Sequence, residues 1–210
     1  MKKKLVLVTL FVLPIVAYLF FASGVNNFGK LPILTENITD VALLDEDDTL
    51  EGKITILGFL GSDVDQKKGN AFNLNQKIYK RFYEFDDFQF VMIAPKGSES
   101  AVSELKQELG NLADVKKWKF IFANENRIRD FFSSLKTDLS LDENLSTPYV
   151  FIIDKDLNLR GRTDDEDEGT KFGFNTTSVA DLNNKMEDDV KVILAEYRLA
   201  LKKNNVDSKK

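Results

Sequence analysis

The sequence predicts an α/β fold in which helices flank a central mixed sheet. Strand-length apolar runs alternate with amphipathic helical segments along the chain, which is the pattern of strand–helix units. The 210 residues include 17 phenylalanines and are 43% hydrophobic, enough for one sizeable core. The chain has no cysteine and no histidine, which excludes disulfides, thiolate nucleophiles, imidazole bases and Cys/His metal sites.

The first 22 residues are predicted to be a transmembrane helix that acts as an anchor. Three lysines follow Met1, and Leu5 to Ala22 carries no charge; as a helix this run spans about 27 Å, enough to cross a bilayer core. The lysines would stay on the cytoplasmic side. We therefore expect a single-pass inner-membrane protein whose C-terminal domain faces the periplasm. The small residues at 22–24 leave signal cleavage and secretion as the alternative.

The remainder of the chain is predicted to be one acidic domain. Residues 23–30 are expected to form a tether, residues 31–203 the domain, and residues 204–210 a disordered tail. The chain has 34 acidic against 29 basic residues, and three of the basic ones precede the apolar run. Because affinity for phosphate backbones comes largely from lysine and arginine, nucleic acid is not an expected partner.

The domain is predicted to open with a short hairpin, followed by a strand–helix–strand unit. Leu31–Thr35 and Val41–Leu44 are expected to pair as that hairpin. The apolar run Lys53–Phe59 predicts a buried strand, and the spacing of aromatic residues predicts a helix from Ala71 to Phe85 after a polar loop. Phe88–Ala94 predicts the second buried strand.

Two further helices and a third strand follow. Ser98 or Ser100 is expected to cap the first of these helices, and Trp118–Ala123 predicts the strand. Asn124–Leu135 predicts a short second helix. The apolar stripe of the first helix is Val102, Leu105, Leu109 and Leu112.

The domain is predicted to close with a hairpin and a long helix. Tyr149–Ile153 predicts a strand, which a turn separates from an edge strand at Leu159–Arg162. Ser178 and Asp181 have the spacing of a capping box at the start of the last helix. Its predicted inward face is Leu182, Met186, Val190, Ile193 and Tyr197. A parallel βαβ unit followed by ββα is the thioredoxin-like arrangement, and this is the fold that we predict.

Several stretches resemble the Sco (SenC-like) family of thioredoxin-fold proteins. Ile54–Leu60 is similar to the strand that leads into the family's active-site loop, and Trp118–Asn124 is similar to its Trp-x-Phe segment. Tyr149–Arg162 resembles its hairpin, and Asp188–Leu194 resembles its closing helix. The resemblance implies a membrane-held domain that binds a subunit or assembly factor of a respiratory cytochrome c oxidase.

The residues that give the Sco family its chemistry are missing from this chain. The family carries Cys-x-x-x-Cys in the loop after the first core strand and a distant histidine, a set suited to copper or thiol redox chemistry. Here Asp63 and Lys67 have the position and separation of the two cysteines, and 144–148 stands in place of the histidine. The resemblance thus implies no catalytic residue, metal or cofactor. The vestigial loop is marked by Gly61, Ser62, Asp63, Asp65 and Lys67.

A proline follows the segment that replaces the histidine. Thioredoxin-fold proteins place a cis-proline here, facing the active-site loop, so the resemblance implies a cis bond between Thr147 and Pro148. An ordinary trans proline at the start of a strand is the alternative.

Other functions compete with protein binding. Asp63 or Asp65 could be the general base of a carboxylate-based enzyme if burial separated the pKa values of a carboxylate pair. The same residues could hold a hard cation, and the acidic run 164–168 could hold a cation or a basic partner. Arg160 and Arg162 could dock a carboxylate or protect an edge strand. We predict binding, because catalysis normally needs tuned titratable groups.

Overall fold

The computed structural model of the chain describes residues 9–16, 18 and 29–207, with side chains described up to residue 200. Residues 9–16 and 18 are helical and exposed. The rest of the predicted anchor and most of the predicted tether lie outside the described residues. Within the described ranges, no helix has both the length and the apolarity needed to cross a bilayer.

The centre of the domain is a seven-stranded mixed sheet. Its strands are β1 (Ile33–Thr35), β2 (Ile54–Phe59), β3 (Phe88–Pro95), β4 (Trp118–Ala123), β5 (Tyr149–Ile153), β6 (Leu159–Arg160) and β9 (Phe174–Asn175). Their order is β1-β6-β5-β2-β3-β4, and β9 pairs with the start of β5. The β2–β3 and β3–β4 pairs are parallel, whereas β5 runs antiparallel to β2 and β6. A separate hairpin consists of β7 (Arg162–Asp165) and β8 (Gly169–Lys171).

The predicted hairpin at the start of the domain is wrong, and so is the predicted edge position of the strand at 159–162. Val41–Leu43 is a 3₁₀ helix rather than a strand, because the Asp40 carboxylate accepts from the backbone N–H of Ala42 and of Leu50 and so closes a turn. The partner of β1 is instead β6. Consequently β6 is an inner strand, not the predicted edge strand.

Four helical segments cover the sheet. The first, α1 (Val64–Leu74), passes through a π-helical turn (Asn75–Tyr79) into Lys80–Phe82. It begins before the predicted Ala71, because Asp63 occupies the N-cap position and its side chain accepts from the Gln66 N–H. The others are α2 (Glu99–Gly110), α3 (Glu125–Ser134) and α4 (Glu187–Asp207), the last preceded by Val179–Asp181 and a π-helical turn at Leu182–Met186.

The last helix runs further than predicted. It continues past Lys203 to Asp207, since no proline or glycine interrupts it. At its start, Ser178 accepts from the Asp181 N–H, but the Asp181 carboxylate accepts from the Asn175 N–H instead of closing a capping box. The Ser178 hydrogen bond of the predicted capping box is therefore present, and the Asp181 hydrogen bond is not.

The sheet separates two apolar clusters. Residues of β2 and β3 alternate between them, as the two-residue period of a strand requires: Ile56 and Phe90 face α1, α2 and α4, whereas Leu57 and Val91 face α3 and the 3₁₀ helix. The predicted apolar stripes are buried except at their last positions: Leu112 lies beyond the end of α2 and is 44% exposed, and Tyr197 is only partly buried.

Arg160 lies at the centre of a buried ion cluster. Its guanidinium donates to Asp154 (2.8 Å), to Glu196 (2.6 Å) and to the carbonyl of Leu31 (2.7 Å). Only 4% of the side chain is exposed. It therefore joins the β5–β6 turn, α4 and the start of the domain, and it is free neither to dock a ligand nor to protect an edge.

Arg162 is also held within the domain. It forms a two-pronged pair with Asp189 (2.8 Å for both contacts) and donates to the Lys185 carbonyl. Both arginines thus have structural partners.

Arg160→Met should be strongly destabilising. The methionine fills similar space but leaves the Asp154 and Glu196 carboxylates without their buried cation, for which we expect a loss of about 3–5 kcal/mol in the free energy of unfolding. Urea unfolding of the full chain measures this. Arg129→Met is the matched control, because Arg129 pairs with Glu125 on an exposed helix face and should cost under about 1 kcal/mol. Equal losses in the two variants would contradict the assigned role of Arg160.

Candidate functional site

The loop after β2 and the turn before β5 lie side by side. Leu60 and Ser146 form an antiparallel bridge, and the Thr147 N–H donates to the Phe59 carbonyl (3.3 Å). The Ser62 N–H donates to the Asn144 carbonyl (2.9 Å). The β2–β5 pairing thus brings the loop at 61–70 and the segment 146–148 to one surface, which we call the candidate surface.

Gly61 permits this close approach. Its φ is +71°, and a Cβ built there would lie 2.4 Å from the Asn144 carbonyl oxygen and 2.6 Å from the Ser146 Cβ. A side chain would therefore be excluded by backbone conformation and by space at once. The glycine fixes the distance between the two segments.

The predicted loop is only partly a loop. Ser62 is exposed, Asp63 caps α1, and Asp65 lies in the first turn of α1, where its carboxylate pairs with Lys68 (2.9 Å). Lys67 follows one turn after Asp63 and points its ammonium group at Asp142 (3.9 Å). The positions that resemble the family's cysteines therefore lie at a helix N-terminus and one turn into it.

Asp142 organises the turn before β5, and the sequence analysis did not identify it. Its carboxylate accepts from the Ser146 hydroxyl (2.6 Å) and from the backbone N–H of Ser146 (2.8 Å) and Asn144 (3.0 Å). Partial burial raises its pKa, but these hydrogen bonds and the Lys67 charge outweigh burial, so the pKa of Asp142 lies below its usual range. The sequence does carry a signal for this role: an aspartate at the start of a turn, with Asn144 two residues later and Ser146 four residues later.

The Thr147–Pro148 peptide bond is trans, as are all peptide bonds of the described residues. The cis bond that the resemblance implies is therefore wrong for this chain. In the trans form Pro148 directly precedes β5, and its carbonyl accepts from the N–H (2.9 Å) and the hydroxyl (2.6 Å) of Thr176. These bonds continue the pairing of β5 with β9, and trans is also the intrinsically favoured isomer.

Known structures share this architecture, although no protein-family model and no curated protein matches the sequence. BsSco, described as a member of the Sco family of cytochrome c oxidase assembly proteins with a disulfide switch, aligns over 78% of this chain and 97% of its own, with a TM-score of 0.50 and 11% identity. The chain has a Sco-like thioredoxin fold. At this identity the likeness establishes the fold alone, and it confirms the thioredoxin-like prediction.

Other solved structures are similar over comparable lengths. A putative electron transfer protein from Aquifex aeolicus VF5 is 16% identical and has a TM-score of 0.49, with 79% of this chain and 92% of that chain covered. Copper-bound ScoI from Arabidopsis thaliana is 15% identical and has a TM-score of 0.42, with 68% and 86% covered.

A small cavity lies beneath the candidate surface. Its volume is about 20 Å³, the space of roughly one water molecule. Lys67, Asn70, Thr147 and Thr176 lie at the cavity, together with the indole of Trp118, whose buried N–H has no partner among the described residues. No carboxylate lines this cavity. The geometry beside Thr147 therefore lacks the acid pair that a carboxylate-based enzyme requires there.

A larger, open cleft adjoins the same surface. It measures about 330 Å³, and its lining residues include Ser62, Lys96, Glu125, Glu143 and Asn144. The cleft follows the carboxyl ends of β3 and β4, where open α/β sheets commonly bind their ligands. The cleft and the candidate surface together form a broader area that suits a polar segment of another molecule.

Three of the five residues in the acidic run 164–168 are paired with lysines of the same domain. The buried Asp165 and the exposed Asp167 both accept from Lys185 (2.7 Å each), and Glu168 pairs with Lys171. In the part of the chain that the structure describes, no group of three or more carboxylates is arranged to hold a metal ion. These ion pairs hold the turn between β7 and β8 in place.

Gly61→Ala should destabilise the domain more than Gly52→Ala. Gly52 also has a positive φ (+73°), but a Cβ there meets nothing within 4 Å, so its variant reports backbone strain alone, about 1–2 kcal/mol. At Gly61 the overlap with the 144–146 turn should add about 1–3 kcal/mol. Chemical denaturation of both variants gives the difference. Equal losses in the free energy of unfolding for the two variants would show that the close approach at Gly61 does not contribute to stability.

Asp142 should stabilise the domain in a pH-dependent way. Because its folded-state pKa is depressed, its contribution is present above the unfolded value of about 3.9 and is lost as the pH falls through the folded value. Asp142→Asn should therefore be less stable than the natural chain at neutral pH, and the gap should narrow below about pH 4. Denaturation midpoints between neutral and acidic pH test this; a gap that stays constant with pH would show that ionisation of Asp142 is irrelevant.

Proposed function

We propose that this chain is a membrane-anchored, redox-inactive Sco-like protein that acts by binding another protein through the candidate surface. The observation that carries the proposal is the joining of the 61–70 and 146–148 segments on one surface in a chain without cysteine or histidine. The frame of a thioredoxin-like site is retained, while the thiolates and the imidazole needed for copper or thiol chemistry are absent from the sequence.

The exposed part of this surface supports recognition rather than catalysis. Ser62, Gln66 and Asn144 are exposed, and they present hydroxyl and amide groups beside an open cleft. Asp142 and Asp65 are already paired with Lys67 and Lys68. A surface of neutral hydrogen-bonding groups around satisfied charges suits the polar contacts of a transient protein interface.

The partner that we propose is a subunit or assembly factor of a respiratory cytochrome c oxidase. This rests on the fold shared with BsSco, whose family is described by that assembly role, and on the apolar run Leu5–Ala22 behind three lysines, which would hold the domain at the same membrane. Because one fold can serve many functions, the partner is tested by capture from membranes.

Copper titration tests the redox-inactive part of the proposal. The full chain in detergent should show no tight Cu(I) binding against a competing chelator, because soft thiolate ligands are absent. The double variant Asp63→Cys with Lys67→Cys is the positive control, since it places two thiols at the start of α1. Stoichiometric tight binding by the natural chain would refute the proposal.

Capture from detergent-solubilised membranes tests the binding surface. We expect Ser62→Arg and Gln66→Arg each to reduce recovery of the captured partner about tenfold, because a bulky charge is placed at the centre of the contact. Glu104→Arg, on the exposed face of α2, is the matched control and should leave recovery unchanged. Loss of recovery in all three variants, or in none, would count against the candidate surface. Oxidase subunits or assembly factors among the recovered proteins would support the proposed partner, and their absence would refute it.

A further inference from the structure

The only tryptophan of the chain, Trp118, holds a buried indole N–H. Trp118 is 2% exposed, and among the described residues nothing accepts from this N–H. The ring is fixed by aromatic neighbours, since Phe90 (4.7 Å between ring centroids), Tyr79 (5.8 Å) and Phe120 (6.1 Å) contact it. It cannot turn toward an acceptor, and a buried donor left unpaired costs stability, so such groups are normally paired with protein or with water.

The small cavity beside Trp118 has room for one water molecule. Its volume is about 20 Å³, whereas a single water needs about 10–15 Å³ and a pair needs about twice that. A buried water also needs about two to four polar groups to bond with. The side chains around the cavity therefore decide whether it holds a water.

Three further polar side chains line the cavity, and each of them can form another hydrogen bond. Thr147 is 6% exposed; its hydroxyl oxygen accepts from the Tyr149 N–H (3.4 Å), and its hydroxyl proton bonds to no described residue. Thr176 is 4% exposed; its hydroxyl donates to the Pro148 carbonyl (2.6 Å), which leaves the oxygen able to accept. Asn70 is half-buried, and its side-chain amide has no partner within the described ranges.

We propose that this cavity is a binding site for one structural water molecule. The water accepts from the Trp118 N–H and from the Thr147 hydroxyl. It donates to the Thr176 hydroxyl oxygen and to the Asn70 side-chain oxygen. Two donors and two acceptors match the hydrogen bonds that a buried water can form. Lys67, the other polar side chain at the cavity, is already paired with a carboxylate.

This water joins four parts of the fold beneath the candidate surface. Asn70 belongs to α1 and Trp118 to β4, whereas Thr147 precedes β5 and Thr176 follows β9. All four bonds share one molecule, so loss of one partner should loosen the water from the other three. The site does not depend on whether the candidate surface binds another protein.

Nuclear magnetic resonance of the full chain in detergent tests the site, because a chain with one tryptophan gives one indole N–H signal. In the natural chain we expect cross-peaks between this N–H and water. The cross-peaks should have opposite signs in nuclear Overhauser spectra recorded in the laboratory and rotating frames, which marks a long-lived bound water. Absence of the cross-peaks, or cross-peaks that arise from proton exchange alone, would overturn the proposal.

Thr147→Val tests the bonds that hold the water. Valine has nearly the shape of threonine but no hydroxyl, so we expect the water cross-peaks of Trp118 to disappear and the indole proton signal to move upfield. Thr35→Val is the matched control, because Thr35 is also buried and loses one hydrogen bond, to the Leu135 carbonyl (2.7 Å), but does not line the cavity. It should leave the indole signal and its water cross-peaks unchanged. Equal changes in the two variants, or no change in Thr147→Val, would refute the assigned partners.

A second variant keeps the test decisive if Thr147→Val does not fold. Asn70→Leu removes a different partner of the same water from a half-buried position on α1, and we expect the same loss of the Trp118 water cross-peaks. Circular dichroism that matches the natural chain confirms folding of each variant. Retained cross-peaks in a folded Asn70→Leu chain would show that Asn70 does not hold the water and would contradict the proposed site.

Discussion

The candidate surface depends on the antiparallel pairing of β5 with β2. This pairing places the turn at 142–146 over the first residues after β2, and the Leu60–Ser146 bridge carries it one step beyond the strands. The approach is possible only because position 61 has no side chain and adopts a positive φ. Asp142 then fixes the turn from the other side by accepting from Ser146 and Asn144. The loop and the turn are therefore positioned by backbone geometry. The exposed side chains of these two segments can change without altering how the segments lie together.

A different kind of interaction holds the opposite end of β5. There Asp154 and Arg160 are buried together, and the partly buried Glu196 gives the Arg160 guanidinium a second carboxylate partner. The cluster also binds the carbonyl of Leu31, so it fixes the point at which the chain enters the domain. Since β5 is five residues long, roughly 17 Å of strand separates this point from the candidate surface. A domain held from its N-terminal side would therefore present the candidate surface at the far end of the sheet.

Periodicity predicted the parts of the fold that packing decides, and it failed where single polar contacts decide. The runs at 54–59 and 149–153 are strands whose residues are buried on both faces, apart from the partly exposed Tyr149, and the sequence shows this burial directly as continuous apolar runs. Val41–Leu43 has an equally apolar pattern, but hydrogen bonds to Asp40 determine its conformation. The hydrogen bonds of Asp142 to Asn144 and Ser146 are local, but only the fold shows that this turn lies beside the 61–70 loop and that Lys67 faces the carboxylate. The cis bond was transferred by resemblance, and nothing in the local sequence opposed it. Site residues defined by long-range contacts are thus the ones that sequence alone leaves open.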